Sequence, residues 1–510
     1  LYIMISILEK SGILRQAQDK LKEVSTALLG AGFEANLVGG CVRDILLEKE
    51  PKDWDIATNA KPEEIQKIFS TFAGATADKP ATIYENNFGT VGVKTDSSDP
   101  RLKIIEITTY RLEGKYSDKR HPDEVIFAKT IEEDLARRDF TINALALSLV
   151  EGMAGRLIDP FGGIADLSKK IIRAVGDPEN RFQEDALRMM RAVRFMAQLG
   201  FVIESETEEA IKKHAGLLEF VSKERIRDEF SKILMADGAA KGIDKLRELG
   251  LLKYVAPELM DGVGVSQNHH HIFTVFEHNL RSLEYAADKK FSLEIRLAAL
   301  LHDVGKPISK RGEGPDATFY GHQVVGAKLA ARILDRLHFS KEISEKVIGL
   351  IREHMFVYDP ETVTDAGARR LLRRVGAENM DDLFSLREAD RIGSGVPKAQ
   401  PYRLRHLKFR IEKVSKDPIS AKMLQLNGSD LMKDLSMLPG PRIGFILAIL
   451  LEEVLDDPTI NKKEILLERA RTLNTLEDKQ LAEMSKFAKK SANEAQTSIE
   501  EEIKKKYFVK

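Results

Sequence analysis

Hydrophobic and polar positions divide the chain into two regimes. From about Leu21 to Ile172, short β-type apolar runs alternate with helical stretches. Asn36 to Val38 reads as the end of a strand, and residues 88–95 (FGTVGVKT) and 102–111 (LKIIEITTYR) read as the two strands of a hairpin. This mixture predicts an α/β head. From Asn180 onward, apolar residues recur at three- and four-residue spacing, as at Met189, Val193 and Met196, which predicts an all-helical remainder. Glycine and proline punctuate it, so loops are expected at Leu249–Asn268, Lys306–Thr318 and Ser394–Pro401. Between Asn427 and Leu473 a Pro-Gly-Pro turn separates two expected helices, and a charged, helix-prone tail follows Leu476. No internal repeat is visible.

A length of 510 residues suggests roughly three or four domains. Hydrophobic content of 43% beside 31% charged residues is that of a soluble globular protein, excluding the disordered and membrane classes. The single cysteine, Cys41, rules out an internal disulfide framework and fits a reducing cytoplasm. The amino end (LYIMISILEK) has no basic leader, and Glu9 and Lys10 cut its apolar run short, so no targeting signal is expected. With a formal net charge of -1, nucleic-acid binding must rest on local patches. Candidates are Arg101–Arg120, Arg369–Arg374 and Tyr402–Arg410. The last interleaves aromatics with cations as single-stranded nucleic acid requires, although a solvated amphipathic helix explains it equally well.

The richest chemistry lies in Leu37–Ile56, LVGGCVRDILLEKEPKDWDI. Gly39-Gly40 lets the backbone turn sharply and approach a ligand, and the helix that follows offers unpaired N–H groups to phosphate, with Arg43 adding a planar fork of donors. Asp53 and Asp55, alternate residues on an expected strand, would converge on one face with Trp54 on the other. Convergent carboxylates beside a triphosphate suit Mg2+. Capping aspartates in a solvated turn would be the favoured reading of an isolated Asp-x-Asp, but the preceding Gly-Gly-x-x-Arg-Asp turn favours metal.

This stretch resembles the opening motif of the class II CCA-adding tRNA nucleotidyltransferase and poly(A) polymerase family, whose head has the polymerase-beta nucleotidyltransferase fold. Further along, a helix is expected to open at Arg137-Arg138-Asp139, running to Asn143, where phosphate donors meet groups able to bind a ribose hydroxyl. It is similar to the family's second signature, which implies that Arg138, Asp139 and Asn143 surround the ribose and triphosphate and that Tyr116–Glu133 is a moving loop. Glu106 is a weaker candidate for a third metal carboxylate, with a structural role preferred.

In Glu184–Arg194 (EDALRMMRAVR), helical spacing would put Asp185 and Arg188 on adjacent turns, with Arg191 and Arg194 continuing the interval. An aspartate accepts from the exocyclic amino group of C or A while an arginine donates to the neighbouring ring acceptor, whereas U and G present a carbonyl there. An ordinary salt bridge is the alternative. The block looks like the family's base-reading motif, and the resemblance then covers Leu37–Phe195 in the family's order.

In the helical half, His278, His302-Asp303 and Asp390 are similar to an HD phosphohydrolase domain, a mixed nitrogen and oxygen set suited to a transition metal. His322 and His354 would bind a second ion or contact phosphate, and His269, His270 and His271 are less certain. Asp430 and Leu438–Gly444 resemble the family's RNA-contacting carboxy-terminal region.

The expected architecture is therefore a nucleotidyltransferase head at residues 20–172, a helical neck at 173–250, an HD domain at 251–415, a C-terminal RNA-contacting helical region at 416–475 and a charged helical tail at 476–510. The resemblance implies a cytoplasmic CCA-adding enzyme that takes CTP, ATP and the tRNA acceptor end as partners, with no membrane partner. Mg2+ would sit at Asp53 and Asp55, the triphosphate at Gly40, Arg43 and Arg138, and the base at Asp185 and Arg188, supported by Arg191 and Arg194. CC-adding, A-adding and poly(A)-adding members of the family remain alternatives. Glu85-Asn-Asn-Phe-Gly89 argues against the last, since such enzymes usually carry a basic element there. An HD-type phosphohydrolase with an RNA-binding head is the alternative from another class.

Overall fold

The computed structural model describes residues 12–70, 82–84, 89–113, 125–149, 156–268, 272–415 and 421–486. Residues 85–88, 116–124 and His269–His271, each raised above, lie outside them. The chain forms two compact units, residues 1–260 with 336–339 and residues 261–335 with 340–510.

The first unit opens with the helix Gly12–Gly30 and a seven-stranded sheet ordered β3-β4-β5-β2-β1-β8-β9. Its strands are β1 (Asn36–Val38), β2 (Asp55–Thr58), β3 (Thr82–Tyr84), β4 (Thr90–Lys94), β5 (Ile104–Thr109), β8 (Ala146–Ser148) and β9 (Leu157–Ile158), while β6 (Arg111–Glu113) and β7 (Val125–Phe127) form a separate ribbon. β4 and β5 pair antiparallel as the alternation predicts. β1 lies inside the sheet, flanked by β2 and β8, and all three of its residues are buried, so both faces of the sheet are covered there. The parallel register of β2 with β5 sets Asp55 directly beside Glu106. Val38, Ala57, Tyr110, Leu135, Ala144, Ala146 and Val175 close the core around this point.

Three local expectations change. Arg137 caps the end of helix Ile131–Ala136 instead of opening one, because Thr130 and Glu133 form a capping box that starts the helix earlier. Asp139 to Asn143 then runs through a bend into the 3-10 turn Thr141–Asn143. The all-helical remainder is interrupted by a two-stranded parallel pair, β10 (Ile171–Ile172) with β11 (Val202–Ile203). The predicted loop at 249–268 contains the helix Leu252–Val255 and the turn Pro257–Gly262, ordered by burial of Leu249, Leu251, Leu252, Val255 and Leu259.

The second unit is helical. Val275–Asp288, Leu293–Leu301, His322–Arg336, Lys341–Glu353 and Met380–Gly393 supply the HD residues. At Gly393 an added Cβ would meet Ser282 Oγ at 2.2 Å and the His278 carbonyl oxygen at 2.9 Å, so only glycine permits the crossing that brings Asp390 to His278. Further on, Gly428–Asp434, Pro441–Asp456 and Lys463–Asn474 pack around Leu431, Ile446, Leu450 and Leu466, with the Pro-Gly-Pro turn between the first two helices. Among the described residues no helix is long and apolar enough to cross a membrane.

Candidate active sites

In the head, Gly39 has φ 75° and ψ -131°, and an added Cβ there would lie 2.7 Å from Arg138 Nη1. The backbone therefore favours glycine, and a side chain there would also displace the Arg138 guanidinium. The helix Gly40–Leu46 begins at this turn and carries Arg43. Asp55 opens β2 half-buried, while Asp53 lies exposed in the bend before the strand instead of within it. Burial pushes the Asp55 carboxyl up, the Arg138 guanidinium pulls it down, and the Asp53 charge pushes it up again. A carboxylate crowded by its like neighbour in a low-dielectric place is relieved by a cation, so the donor set fits a divalent metal. Glu106 is exposed beside Asp55, but these carboxylates are not among the described three-donor groups that close to within 4.8 Å.

Three sequence-distant signatures are joined by side-chain hydrogen bonds. Arg43 Nη1 donates to Asn143 Oδ1 at 2.8 Å, Asn143 Nδ2 to Asp139 Oδ1 at 3.3 Å, and Arg191 Nε to Asp139 Oδ2 at 2.6 Å. Burial opposes the Asp139 charge, but Arg191 and Arg188 outweigh it and hold the carboxyl at about 2. Arg138 donates to Asp134 at 3.2 Å, and Arg137 Nε does so at 2.9 Å. Asp134 is fully buried and was missed by sequence reasoning, since nothing local marks it as the anchor of both arginines. Cys41 is buried behind the site with its thiol pushed up to about 12, chiefly by burial, so it is inert as a nucleophile.

Asp185 and Arg188 do not share a helix. Asp185 is extended (φ -141°, ψ 103°) at the end of Pro178–Glu184, and Arg188 sits in the first turn of Leu187–Leu199. The break arises because Asp185 Oδ1 accepts the Leu187 N–H at 3.1 Å, satisfying an otherwise unpaired donor of the new helix. Their side chains take other partners: Arg225 Nη2 donates to Asp185 Oδ2 at 2.8 Å, and Arg188 donates to Glu184 Oε2 at 2.7 Å and to the Arg137 carbonyl at 3.1 Å. Arg194 donates to buried Glu229 at 3.1 Å and stacks on Phe195, with its centre 4.4 Å from the ring. Arg191 and Arg194 thus brace the neck through carboxylates.

In the second unit, His278, His302, Asp303, His322, His354 and Asp390 come together, all buried. His278 Nε2 lies 2.9 Å from His302 Nε2, 3.2 Å from Asp303 Oδ2 and 3.2 Å from Asp390 Oδ1. On the far side of the same aspartate, Asp303 Oδ1 lies 3.2 Å from His322 Nε2, which is 3.3 Å from His354 Nε2. The Nδ1 atoms of His302, His322 and His354 each face a backbone carbonyl, of Ala299, Phe319 and Ile351, at 2.9, 2.8 and 2.6 Å. A carbonyl accepts only, so each Nδ1 carries the proton and each neutral ring turns an Nε2 lone pair inward. Inward lone pairs and carboxylate oxygens crowded at such distances fit cations, one on each side of Asp303. Buried Asp303 Oδ1 has no hydrogen-bond partner, as an atom reserved for a metal would not. Lys306 Nζ approaches Asp303 Oδ2 at 2.5 Å, and Arg387 pairs with Asp390.

Two of the basic patches, Arg369–Arg374 and Tyr402–Arg410, are largely engaged. Arg370 pairs with Asp456, Arg373 with Glu452 and Arg374 with Glu353, while Arg369 donates to the Leu455 carbonyl. On helix Tyr402–Val414, Arg403, Lys408 and Arg410 pair with Asp359, Glu388 and Asp365, leaving Tyr402 and Phe409 exposed.

Comparison with known proteins identifies the domains in which these residues lie. The profile of the poly(A) polymerase head domain matches residues 35–173, that of the probable RNA- and SrmB-binding site of polymerase A residues 200–262, and that of the HD domain residues 275–392. The CCA-adding enzyme of Lactobacillus gasseri is 49% identical over 242 residues, 46% of this chain, which spans just over half (56%) of that relative's length. The CCA-adding enzyme of Ligilactobacillus salivarius is 36% identical over 454 residues, 88% of this chain and 94% of the relative. The A-adding tRNA nucleotidyltransferase of Deinococcus radiodurans is 38% identical over 344 residues, 65% of this chain and 76% of the relative. Among solved structures, the Bacillus stearothermophilus CCA-adding enzyme in complex with CTP superposes with a TM-score of 0.65 at 30% identity, covering 90% of this chain and 98% of that one. The chain belongs to the CCA-adding tRNA nucleotidyltransferase and poly(A) polymerase family, in its bacterial form with an HD domain.

Proposed function

We propose that the chain is a cytoplasmic CCA-adding tRNA nucleotidyltransferase, joining nucleotides from CTP and ATP to the tRNA 3′ end with release of pyrophosphate. The observation that carries this reading is the chain of hydrogen bonds from Arg43 through Asn143 and Asp139 to Arg191, which ties the turn at Gly39 to the neck helix that follows Asp185. Chemistry and base choice are thereby held in one frame. Residues 20–172 act as the catalytic head, 173–250 as the neck, 251–415 as the HD domain and 416–475 as an RNA-contacting region.

Gly40 lets the triphosphate approach the backbone, and Arg43 and Arg138 supply positive charge to it. Asp139 and Asn143 orient the ribose, with Arg191 keeping Asp139 ionised. Asp185 accepts from the amino group of C or A, and Arg188 donates to the adjacent ring acceptor. Asp53 and Asp55 would hold divalent cations, Mg2+ in this reading, which would supply activation of the 3′-hydroxyl and neutralisation of the departing pyrophosphate. The helical body reads the acceptor stem by shape and backbone contacts. The test is extension of a tRNA lacking its terminal CCA with each labelled nucleotide. C and A enter, and Asp53→Asn abolishes both; unchanged incorporation by that variant overturns the reading.

A second activity, metal-dependent phosphohydrolysis, is favoured by the inward-facing imidazoles around Asp303. His278, His302, Asp303 and Asp390 would hold one transition metal, and Asp303, His322 and His354 a second. Hydrolysis of a 2′,3′-cyclic phosphate that persists in His302→Ala would contradict it.

A further inference from the structure

We infer that Arg225 is a specificity-determining positioning residue, fixing the Asp185 carboxylate so that the neck accepts bases bearing an exocyclic amino group. The inference rests on the reading of Asp185 as the base acceptor and adds the residue that aims it.

An aspartate carboxylate rotates broadly about its last torsion, so Asp185 alone would present its oxygens in many directions. Here both oxygens are held: Oδ1 by the Leu187 N–H at 3.1 Å and Oδ2 by Arg225 Nη2 at 2.8 Å. Two bonds on different oxygens define the carboxylate plane and leave each oxygen lone-pair capacity for another donor. The Leu187 bond comes from the adjacent helix start and is local. The Arg225 bond crosses from helix Lys223–Leu234, forty residues away in sequence. That helix is itself registered against the neck by Glu229, one turn beyond Arg225, whose carboxylate receives Arg194 Nη1 at 3.1 Å. The Glu229–Arg194 pair is buried, whereas the side chains of Asp185 and Arg225 remain 16% and 28% exposed. The first pair braces the two helices; the second lies where a ligand can reach it. Arg188 is held as well, by Glu184 and by the Arg137 carbonyl, so donor and acceptor of the base-reading pair are both set by neighbours instead of by each other.

Loss of Arg225 frees the Asp185 carboxylate to turn, and misplacement of a contacting group on this scale costs about ten- to a hundredfold in rate. The loss falls on CTP and ATP, which use the acceptor, and not on UTP and GTP, which do not. The experiment measures kcat/KM for all four nucleotides on CCA-less tRNA with the full chain, for wild type, Arg225→Ala, Arg225→Lys and Asp185→Ala. Arg225→Ala is expected to lower the CTP/UTP and ATP/GTP ratios by about tenfold, and Arg225→Lys, which keeps a donor, to recover part of that change. Thermal melting of each variant accompanies the kinetics. Ratios in Arg225→Ala and Arg225→Lys that match wild type, whether or not activity falls for all four nucleotides together, overturn the inference while Asp185→Ala still loses discrimination. If Asp185→Ala itself keeps wild-type ratios, the base-reading assignment fails and the inference fails with it.

Discussion

In the head, Asp55 is half-buried with Asp53 exposed before it, and Arg138, arriving from another element, steadies the Asp55 charge. In the HD unit six donors are buried together, and three of the four imidazoles are fixed by carbonyls of the turn just before them. The first arrangement crowds only two carboxylates, one of them exposed, so a cation there relieves little and serves chemistry above all. The second turns several unshared electron pairs toward one another in a low dielectric, an arrangement whose own stability depends on a cation.

This contrast orders the expected effects. Asp55→Asn is the largest functional change and the smallest structural one. Primer extension should fall by about a thousandfold, the scale of losing a preorganised electrostatic group, with no fall in the melting temperature, since the fold disfavours the Asp55 charge. A stability loss accompanying the activity loss would erase the distinction between the sites. His302→Ala should do the reverse to the head: nucleotide addition stays near wild type while bound transition metal, counted by elemental analysis, falls and cyclic-phosphate hydrolysis disappears. Titrating a transition metal into metal-stripped protein should raise stability by about 2.7 kcal/mol at a hundredfold excess over Kd. Calorimetry should show that gain in wild type and not in Asp303→Asn.

Acid should reveal a smaller term in the head. The Asp139 carboxyl sits at about 2 in the folded chain against an ordinary 3.8, because burial is outweighed by Arg191 and Arg188. A depressed folded value contributes stability above the unfolded value and loses it as pH falls through the folded one. The contribution is about 2 kcal/mol, lost between about pH 4 and pH 2. Asp139→Asn should lack that acid limb in denaturant melts while being less stable at neutral pH, since it leaves Arg191 without its carboxylate.

Local patterns made much of this legible. The glycine pair, Arg43 and the Asp-x-Asp spacing could be named because they form one short motif whose chemistry is carried by its own spacing, while the HD residues, spread from His278 to Asp390, could be named through their resemblance to a known domain. The β4–β5 hairpin was visible in its alternation. What stayed hidden were partners brought in by folding: Asp134 under Arg137 and Arg138, Glu229 under Arg194 and Arg225 on Asp185. Their positions carry no local signal, since any surface acid or base looks the same in sequence. The helix break at Asp185 was missed for a related reason. A helical period continues across it, and only the bond from the Leu187 N–H to the aspartate side chain shows that one helix has ended and another begun. The patch Arg369–Arg374 shows the opposite case, since folding pairs its charges with Glu353, Glu452 and Asp456, partners that its own sequence does not announce.

The central claim is that one head performs the transfer while protein side chains choose the base. Single-turnover incorporation of each labelled nucleotide on tRNAs ending one, two and three positions short of the complete 3′ end tests it most directly. C on the two shorter ends and A on the longest, all lost in Asp55→Asn, is the predicted result. Addition of A alone, addition of U and G at comparable rates, or incorporation that survives Asp55→Asn would contradict it.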